Sequence, residues 1–267
     1  MGGYWYNCDL FAQAGVKHPP KTWDEWKETC MRLQNLAERR SLNMDPLILD
    51  ADHIVYFTNA ILCKENPGAL ETIGKNIINV QSSGLQKTLE QIEEISNYSD
   101  VMDTYSFRDA LDSFNKGETA IYVNGVWANS MIDPELNVAY AAFPSKDGKG
   151  VSMISSGVGY ILGNTKDKKR IDASVEFLKY MLSKPVAERI LKETGQIPSN
   201  PNIEITEDTG NRRLYQAISC VKAAGTVTEA PANIWNSELE ETYGENVILY
   251  LNNKITIEEL QEKLADF

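Results

Sequence analysis

Residues 114–127, FNKGETAIYVNGVW, decide the reading of this chain. The segment reads as the end of a helix, a turn at Gly117, a short strand from Ala120 to Val123, and a second turn at Asn124-Gly125. That second turn delivers Trp127 onto the start of another helix. An aromatic presented where a strand gives way to a helix stands at the mouth of an α/β layer, where ligands of such sheets bind. Its planar apolar face suits the CH-rich face of a sugar ring, and Asn124 beside it can hydrogen-bond hydroxyls. A core tryptophan behind an ordinary Asn-Gly turn is the plainer alternative, since most tryptophans are largely buried.

Outward from this segment, apolar periodicity alternates between helix and strand. Thr22 to Glu25 forms a capping box, and the helix after it turns Trp26, Cys30, Leu33 and Ala37 to one side. Pro46 to Leu49 is a short buried-strand pattern ending at Asp50, followed by a helix with Ile54, Phe57, Ile61 and Leu62 as its stripe. Leu85, Leu89, Ile92 and Ile95 mark another amphipathic helix, with Ser82 or Ser83 as its N-cap. Later helices carry Phe177, Tyr180 and Met181, then Leu214, Ile218 and Val221, then Tyr243, Val247, Tyr250 and Leu251. Pro185 fits a first helical turn and Gly195 a C-terminal cap. A second capping box, Thr256 to Glu259, opens a last helix with Leu260 and Leu264 on its apolar side. The strands are too few for an all-β protein and too many for a bundle, which predicts α/β layers.

Bulk properties narrow the function. At 267 residues, with 42% hydrophobic and 24% charged residues, the chain is an ordinary globular sequence long enough for a sizeable core or two packed lobes. A net charge of −12 argues against nucleic acid and against electrostatic binding to anionic lipid. No run of about 18 apolar residues is present to span a membrane, and no charged start with an apolar core marks a secretory signal. Cys8, Cys30, Cys63 and Cys220 are widely spaced, without a C-x-x-C pair or clustered histidines, so neither a zinc site nor another metal centre is expected; free buried thiols are. No P-loop, G-x-S-x-G, H-E-x-x-H or helix-opening G-x-G-x-x-G is found, so no cofactor is expected.

Four ordered segments resemble one family. Residues 114–127 match its F-x-x-G-x-A-A-(M/I)-x-(I/V)-N-G-x-W segment, and residues 4–26, YWYNCDLFAQAGVKHPPKTWDEW, its Y-N-x-D-L-F…P-P-x-T-W-D-E segment. Phe143-Pro144, Gly148 and SSGVGYIL follow, and then the helix before TGQIPSN. The chain thus resembles, over nearly its whole length, the extracellular solute-binding proteins of ABC sugar importers, the group that includes the maltose-binding proteins. The resemblance implies a type II periplasmic-binding-protein-like fold and a non-catalytic function. The ligand would be a sugar or oligosaccharide, the partners ABC permease subunits, and the location extracellular, periplasmic or tethered to the cell surface as a lipoprotein.

In that family Tyr4 matches the strand that leaves the first lobe, so the chain is expected to be the later portion of such a protein. Residues 1–155 and 203–267 are expected to form the second lobe, and 156–202 a mainly helical piece of the first, with the Gly- and Ser-rich stretch Ser152–Gly159 as the hinge.

The resemblance implies Trp127 as the sugar-stacking residue and Trp235 as a late cleft aromatic, the alternative for Trp235 being interlobe packing. Asp50, Asp52 and His53 stand where the family grips sugar hydroxyls, although either aspartate could instead cap the helix that follows, and His53 could be an ordinary half-buried helix residue. Tyr4 and Tyr6 share one side of a strand, so one could stack on ligand while the other packs. Gly157 would permit close backbone approach, or merely a bend. The competing class is a carbohydrate-active enzyme pairing Asp50 or Asp52 with Glu240 or Glu241.

Overall fold

In the computed structural model the described residues are 2–49, 51–65, 83–101, 107–154, 159–194, 196–200, 202–207 and 212–265. Asp50, Ser82, Gly157 and Gly195 lie outside them, as do the side chains of Asp52 and Ser83. The strands in chain order are β1 (Gly2–Asn7), β2 (Asp45–Leu49), β3 (Ser99–Val101), β4 (Thr119–Gly125), β5 (Val138–Ala141), β6 (Val151–Ile154) and β7 (Thr226–Glu229). The helices are α1 (Cys8–Gln13), α2 (Trp23–Arg40), α3 (Ala51–Glu65), α4 (Ser83–Ser96), α5 (Phe107–Lys116), α6 (Lys168–Met181), α7 (Lys184–Thr194), α8 (Arg212–Ala223), α9 (Ser237–Leu251) and α10 (Ile257–Ala265).

The strands form one mixed sheet of order β3-β2-β4-β1-β6-β7, with β5 also paired to β1. β1 runs antiparallel to β4, from Gly2 opposite Gly125 to Tyr6 opposite Ile121. Its other edge pairs with β5 along Tyr4–Asn7 and meets β6 where Gly2 faces Met153. β2 is parallel to both β3 and β4, and β6 is parallel to β7.

Alternation along the strands divides the apolar residues between two faces. Tyr4, Leu47, Leu49, Ile121 and Val123 join one cluster, with Trp26 and Leu33 of α2, Phe57 of α3, Leu89 of α4, Val247 of α9 and Leu264 of α10. Trp5, Ile48 and Tyr122, each one residue out of phase, join the other, with Phe114 of α5 and Leu214 and Ile218 of α8. Helices cover both faces, so the fold is a three-layer α/β architecture. Ala187 and Leu191 of α7 also lie in the second cluster, whereas α6 buries none of its residues.

Local chemistry accounts for the helix ends. Thr22 Oγ1 accepts the Glu25 N–H, and the Glu25 carboxylate accepts from the Lys21 N–H rather than returning to Thr22. The second capping box is reciprocal: Thr256 Oγ1 accepts from Glu259 N–H, and Glu259 Oε2 accepts from Thr256 N–H at 2.8 Å. Pro185 stands in the first turn of α7. Cys30 is buried, and Cys8, Cys63 and Cys220 are half-buried, all four as thiols.

One local expectation changes. Asn124-Gly125 is not a turn but the last two residues of β4, because Gly3 and Gly2 of β1 continue the ladder opposite them. The chain bends only after Gly125, into the 3-10 turn Val126–Ser130 rather than an α-helix.

A candidate ligand-binding edge of the sheet

Strand direction defines one edge of the sheet near which several of the expected site residues fall. β4 is parallel to β2, and β6 and β7 run the same way because β1 is antiparallel to both β4 and β6. The C-terminal ends of β2, β4, β6 and β7 therefore lie on one side of the sheet. From them emerge, in turn, the start of α3 with Asp52 and His53, the turn carrying Trp127, exposed Ile154, and the 3-10 turn Pro231–Asn233 that leads to Trp235. The C-terminal edge of parallel strands is where open α/β sheets bind ligands.

Trp127 is held from below. The space over Gly125 is filled by its ring, which a Cβ there would overlap. Gly125 is itself pinned, since its carbonyl accepts from Trp5 Nε1 at 3.1 Å in the core. With one part of the ring braced this way, Trp127 remains 36% exposed, among the larger apolar side chains open to solvent. A rigid, partly exposed indole is suited to stacking on an apolar ring face.

Asn124 is committed to the strand end. Its Nδ2 donates to the Tyr122 hydroxyl at 2.7 Å, its Oδ1 accepts from the Gly125 N–H at 2.7 Å, and its carbonyl accepts from the Tyr140 hydroxyl. His53, also buried, meets the Tyr122 ring edge-on at 6.0 Å. The structure thus brings His53, Tyr122 and Asn124 into one buried polar line beneath this edge. Burial raises the Tyr140 hydroxyl pKa well above its ordinary value, so it stays a proton donor to Asn124.

Trp235 is placed differently. It is 4% exposed and packs edge-to-face on Tyr243 at 5.1 Å, while the Tyr243 hydroxyl shares a 2.8 Å hydrogen bond with Thr58. In this form its ring joins the core instead of offering a face to solvent. Tyr4 is likewise fully buried against Trp26, and Tyr6 packs on Phe11.

Two edge residues escaped the sequence reading. Tyr122 links Asn124 to His53, and the sequence offered it only as one residue of the strand Ala120–Val123. Tyr56 lies beside Gly2, where its ring is within 3.5 Å of the position a Cβ would take. The signal for Tyr56 is its spacing, three residues after His53 in one helix. Among the described residues no group of three or more His, Cys, Asp or Glu side chains is placed to hold a metal ion.

Residues 2–188 match the model of the bacterial extracellular solute-binding protein family. The chain belongs to that family. It is 22% identical over 211 residues to a binding protein of Brucella abortus (strain 2308), an alignment covering 73% of this chain and 48% of that protein. Among solved structures, a Streptococcus pneumoniae solute-binding protein in complex with the blood group A-trisaccharide superposes with a TM-score of 0.74 at 24% identity, over 99% of this chain and 68% of that one. A chitin oligosaccharide binding protein gives a TM-score of 0.83 at 21% identity, with the same coverage. The raffinose complex of the solute-binding protein RafE gives 0.71 at 18% identity, covering 70% of that chain. The architecture is therefore that of type II periplasmic-binding-protein-like solute-binding proteins, and the chain spans about half the length of the curated relative and two thirds of these structures.

Proposed function

We propose that this chain carries the stacking side of a carbohydrate-binding protein that captures an extracellular sugar or oligosaccharide and delivers it to the membrane permease of an ABC importer. The observation that carries this reading is the half-exposed Trp127, braced on Gly125 at the C-terminal edge of the parallel strands, in a chain of the solute-binding family. On this reading Trp127 stacks on the sugar ring, while Asp50, Asp52 and Gly157 offer it hydrogen-bond partners. Asn124 and His53 hold that edge in shape from beneath, and Trp235 acts on ligand only by leaving its place against Tyr243. The protein is non-catalytic and works outside the cell membrane, tethered or free.

We further propose that residues 156–202 belong to the opposing lobe, with Ala187 and Leu191 of α7 anchoring that segment to the core. Capture then requires closure of two lobes, each supplying part of the hydrogen-bond set. A chain carrying one side alone forgoes two or three hydrogen bonds of about 1 kcal/mol each, so it binds roughly 30- to 150-fold more weakly than the two-sided cleft.

Calorimetric titration of these 267 residues with a panel of neutral oligosaccharides tests this, with Trp127→Ala as the comparison. Weak saturable binding that the substitution abolishes is the expected result, with no new reducing ends released. Micromolar binding by the Trp127→Ala protein would overturn the site, and sugar release would replace binding with paired-carboxylate hydrolysis.

A further inference from the structure

Helix α9 carries a glycine at its middle, where glycine is among the least favourable residues for a helix. Packing accounts for it. Gly244 is buried, and a Cβ built on it would overlap the carbonyl oxygen of Ala51 and stand 2.9 Å from its carbonyl carbon and 3.2 Å from its Cα. All three atoms are backbone, so no side chain can swing away to make room. Ala51 is the first residue of α3, just beyond the C-terminal end of β2. The missing side chain thus lets α9 touch the main chain where β2 gives way to α3, on the edge of the sheet that also carries Trp127.

The first turn of α3 is held at two points. α9 bears on Ala51, and two residues later the His53 ring lies edge-on to Tyr122, whose hydroxyl accepts from Asn124 Nδ2. Farther along, α3 is tied down, since Thr58 shares a hydrogen bond with Tyr243 and Asn59 Nδ2 donates to the Glu229 carbonyl at 2.8 Å. α9 is fixed as well, with Leu239, Tyr243, Asn246, Val247 and Ile248 all buried. Ala51, half-buried at the helix end, is the part that can yield.

We propose that Gly244 is a positioning residue for the ligand-binding edge. It sets where the first turn of α3, with Asp52 and His53, stands relative to Trp127, and it acts through α3 and not by contact with ligand. This rests on the reading of that edge as the sugar site.

Gly244→Ala tests it. Where a methyl group has room, this change in mid-helix raises the thermal midpoint, because alanine favours the helix and restricts the unfolded chain. Here it should lower the midpoint. In amide proton–nitrogen correlation spectra the signals of Ala51–Ile54, Tyr122 and Asn124 should shift. Affinity for maltotriose, raffinose or triacetylchitotriose, used as probes, should fall roughly five- to tenfold, the worth of about one hydrogen bond. Leu260→Ala, a truncation of a fully buried residue of α10, should also lower the midpoint but leave those signals and the affinity at wild-type values. A raised midpoint in Gly244→Ala, or spectral changes confined to α9, overturns the proposal. So does a shifted first turn with undiminished affinity, or an equal loss of affinity in Leu260→Ala. A wild-type chain that binds none of the probes, while Gly244→Ala still displaces the first turn, would overturn the sugar site itself and with it the part of Gly244 there.

Discussion

The ring of Trp127 occupies the space over Gly125, two residues earlier, where any other residue would place its Cβ. The two positions are therefore one device, a strand end without a side chain serving as the seat of an indole. Gly125→Ala must push the ring off its seat and is expected to cost about 1–3 kcal/mol of stability through overpacking. Trp127→Ala removes a half-exposed side chain, so its thermal midpoint should move much less. Both should weaken sugar binding by about tenfold, the worth of one stacking contact of roughly 1 kcal/mol or slightly more. Thermal melts with calorimetric titrations check the pair. If Gly125→Ala leaves both readouts at wild-type values, the seat is not what holds the ring.

Arg213 fastens the loop after the 3-10 turn. Its Nη2 donates to the Pro134 carbonyl at 3.1 Å and to the Leu136 carbonyl at 2.8 Å, and both terminal nitrogens reach the Asp133 carbonyl. Lysine cannot reproduce that fork, so Arg213→Lys and Arg213→Ala should each destabilise the chain by about 1–3 kcal/mol, as measured by urea denaturation. Full retention of stability in the lysine variant would show that charge alone suffices.

The Thr58–Tyr243 hydrogen bond ties α3 to α9 beside Trp235. Tyr243→Phe keeps the ring against Trp235 and leaves the Thr58 hydroxyl its other bond, to the Ile54 carbonyl at 2.9 Å. The expected loss is therefore modest, about 1 kcal/mol by denaturant titration. Tyr243→Ala also empties the space beside Trp235 and should cost about 3–5 kcal/mol.

Alkali should unfold the chain through its tyrosines. Burial raises Tyr4, Tyr6, Tyr140 and Tyr243 above the free value of 10.0; Tyr250 is raised by burial and by its hydrogen bond to Glu93. A group whose folded pKa is raised contributes stability in full below its unfolded pKa and loses it as pH climbs through the folded one. Stability should thus hold to about pH 10 and fall from there through about 12, the values reached by Tyr6 and Tyr250. Phenolate absorbance followed with circular dichroism should show these tyrosines ionising together with unfolding. Independent titration near 10 in a folded chain would contradict the burial.

Helical periodicity made much of the core readable in advance. Leu85, Leu89, Ile92 and Ile95 of α4 are all buried, as the stripe required, and Leu260 and Leu264 close the last helix in the same way. The same rule overreached at α6, because periodicity announces an apolar face but not what covers it. At Asn124-Gly125 local turn chemistry lost to a ladder partner, Gly3 and Gly2, more than a hundred residues away. Trp235 was ambiguous for a similar reason, since its burial depends on how the bend before α9 folds its ring back onto Tyr243 of that helix, which the sequence pattern does not show. At the candidate site, Trp127 stood out from its own motif, while the brace under it and the Tyr122 link to His53 are properties of the assembled sheet.

The position of β1 also shapes how the chain can be made. Gly2–Asn7 pair with strands β4, β5 and β6, which are translated more than a hundred residues after them. Until then Tyr4 and Trp5, both destined for full burial, have no sheet to enter. Such non-local pairing slows folding and prolongs the exposure of sticky segments. While it waits for its partners this stretch is the part of the nascent chain most in need of chaperone cover, and an insertion between Gly2 and Asn7 would be felt in the middle of the sheet rather than at its rim.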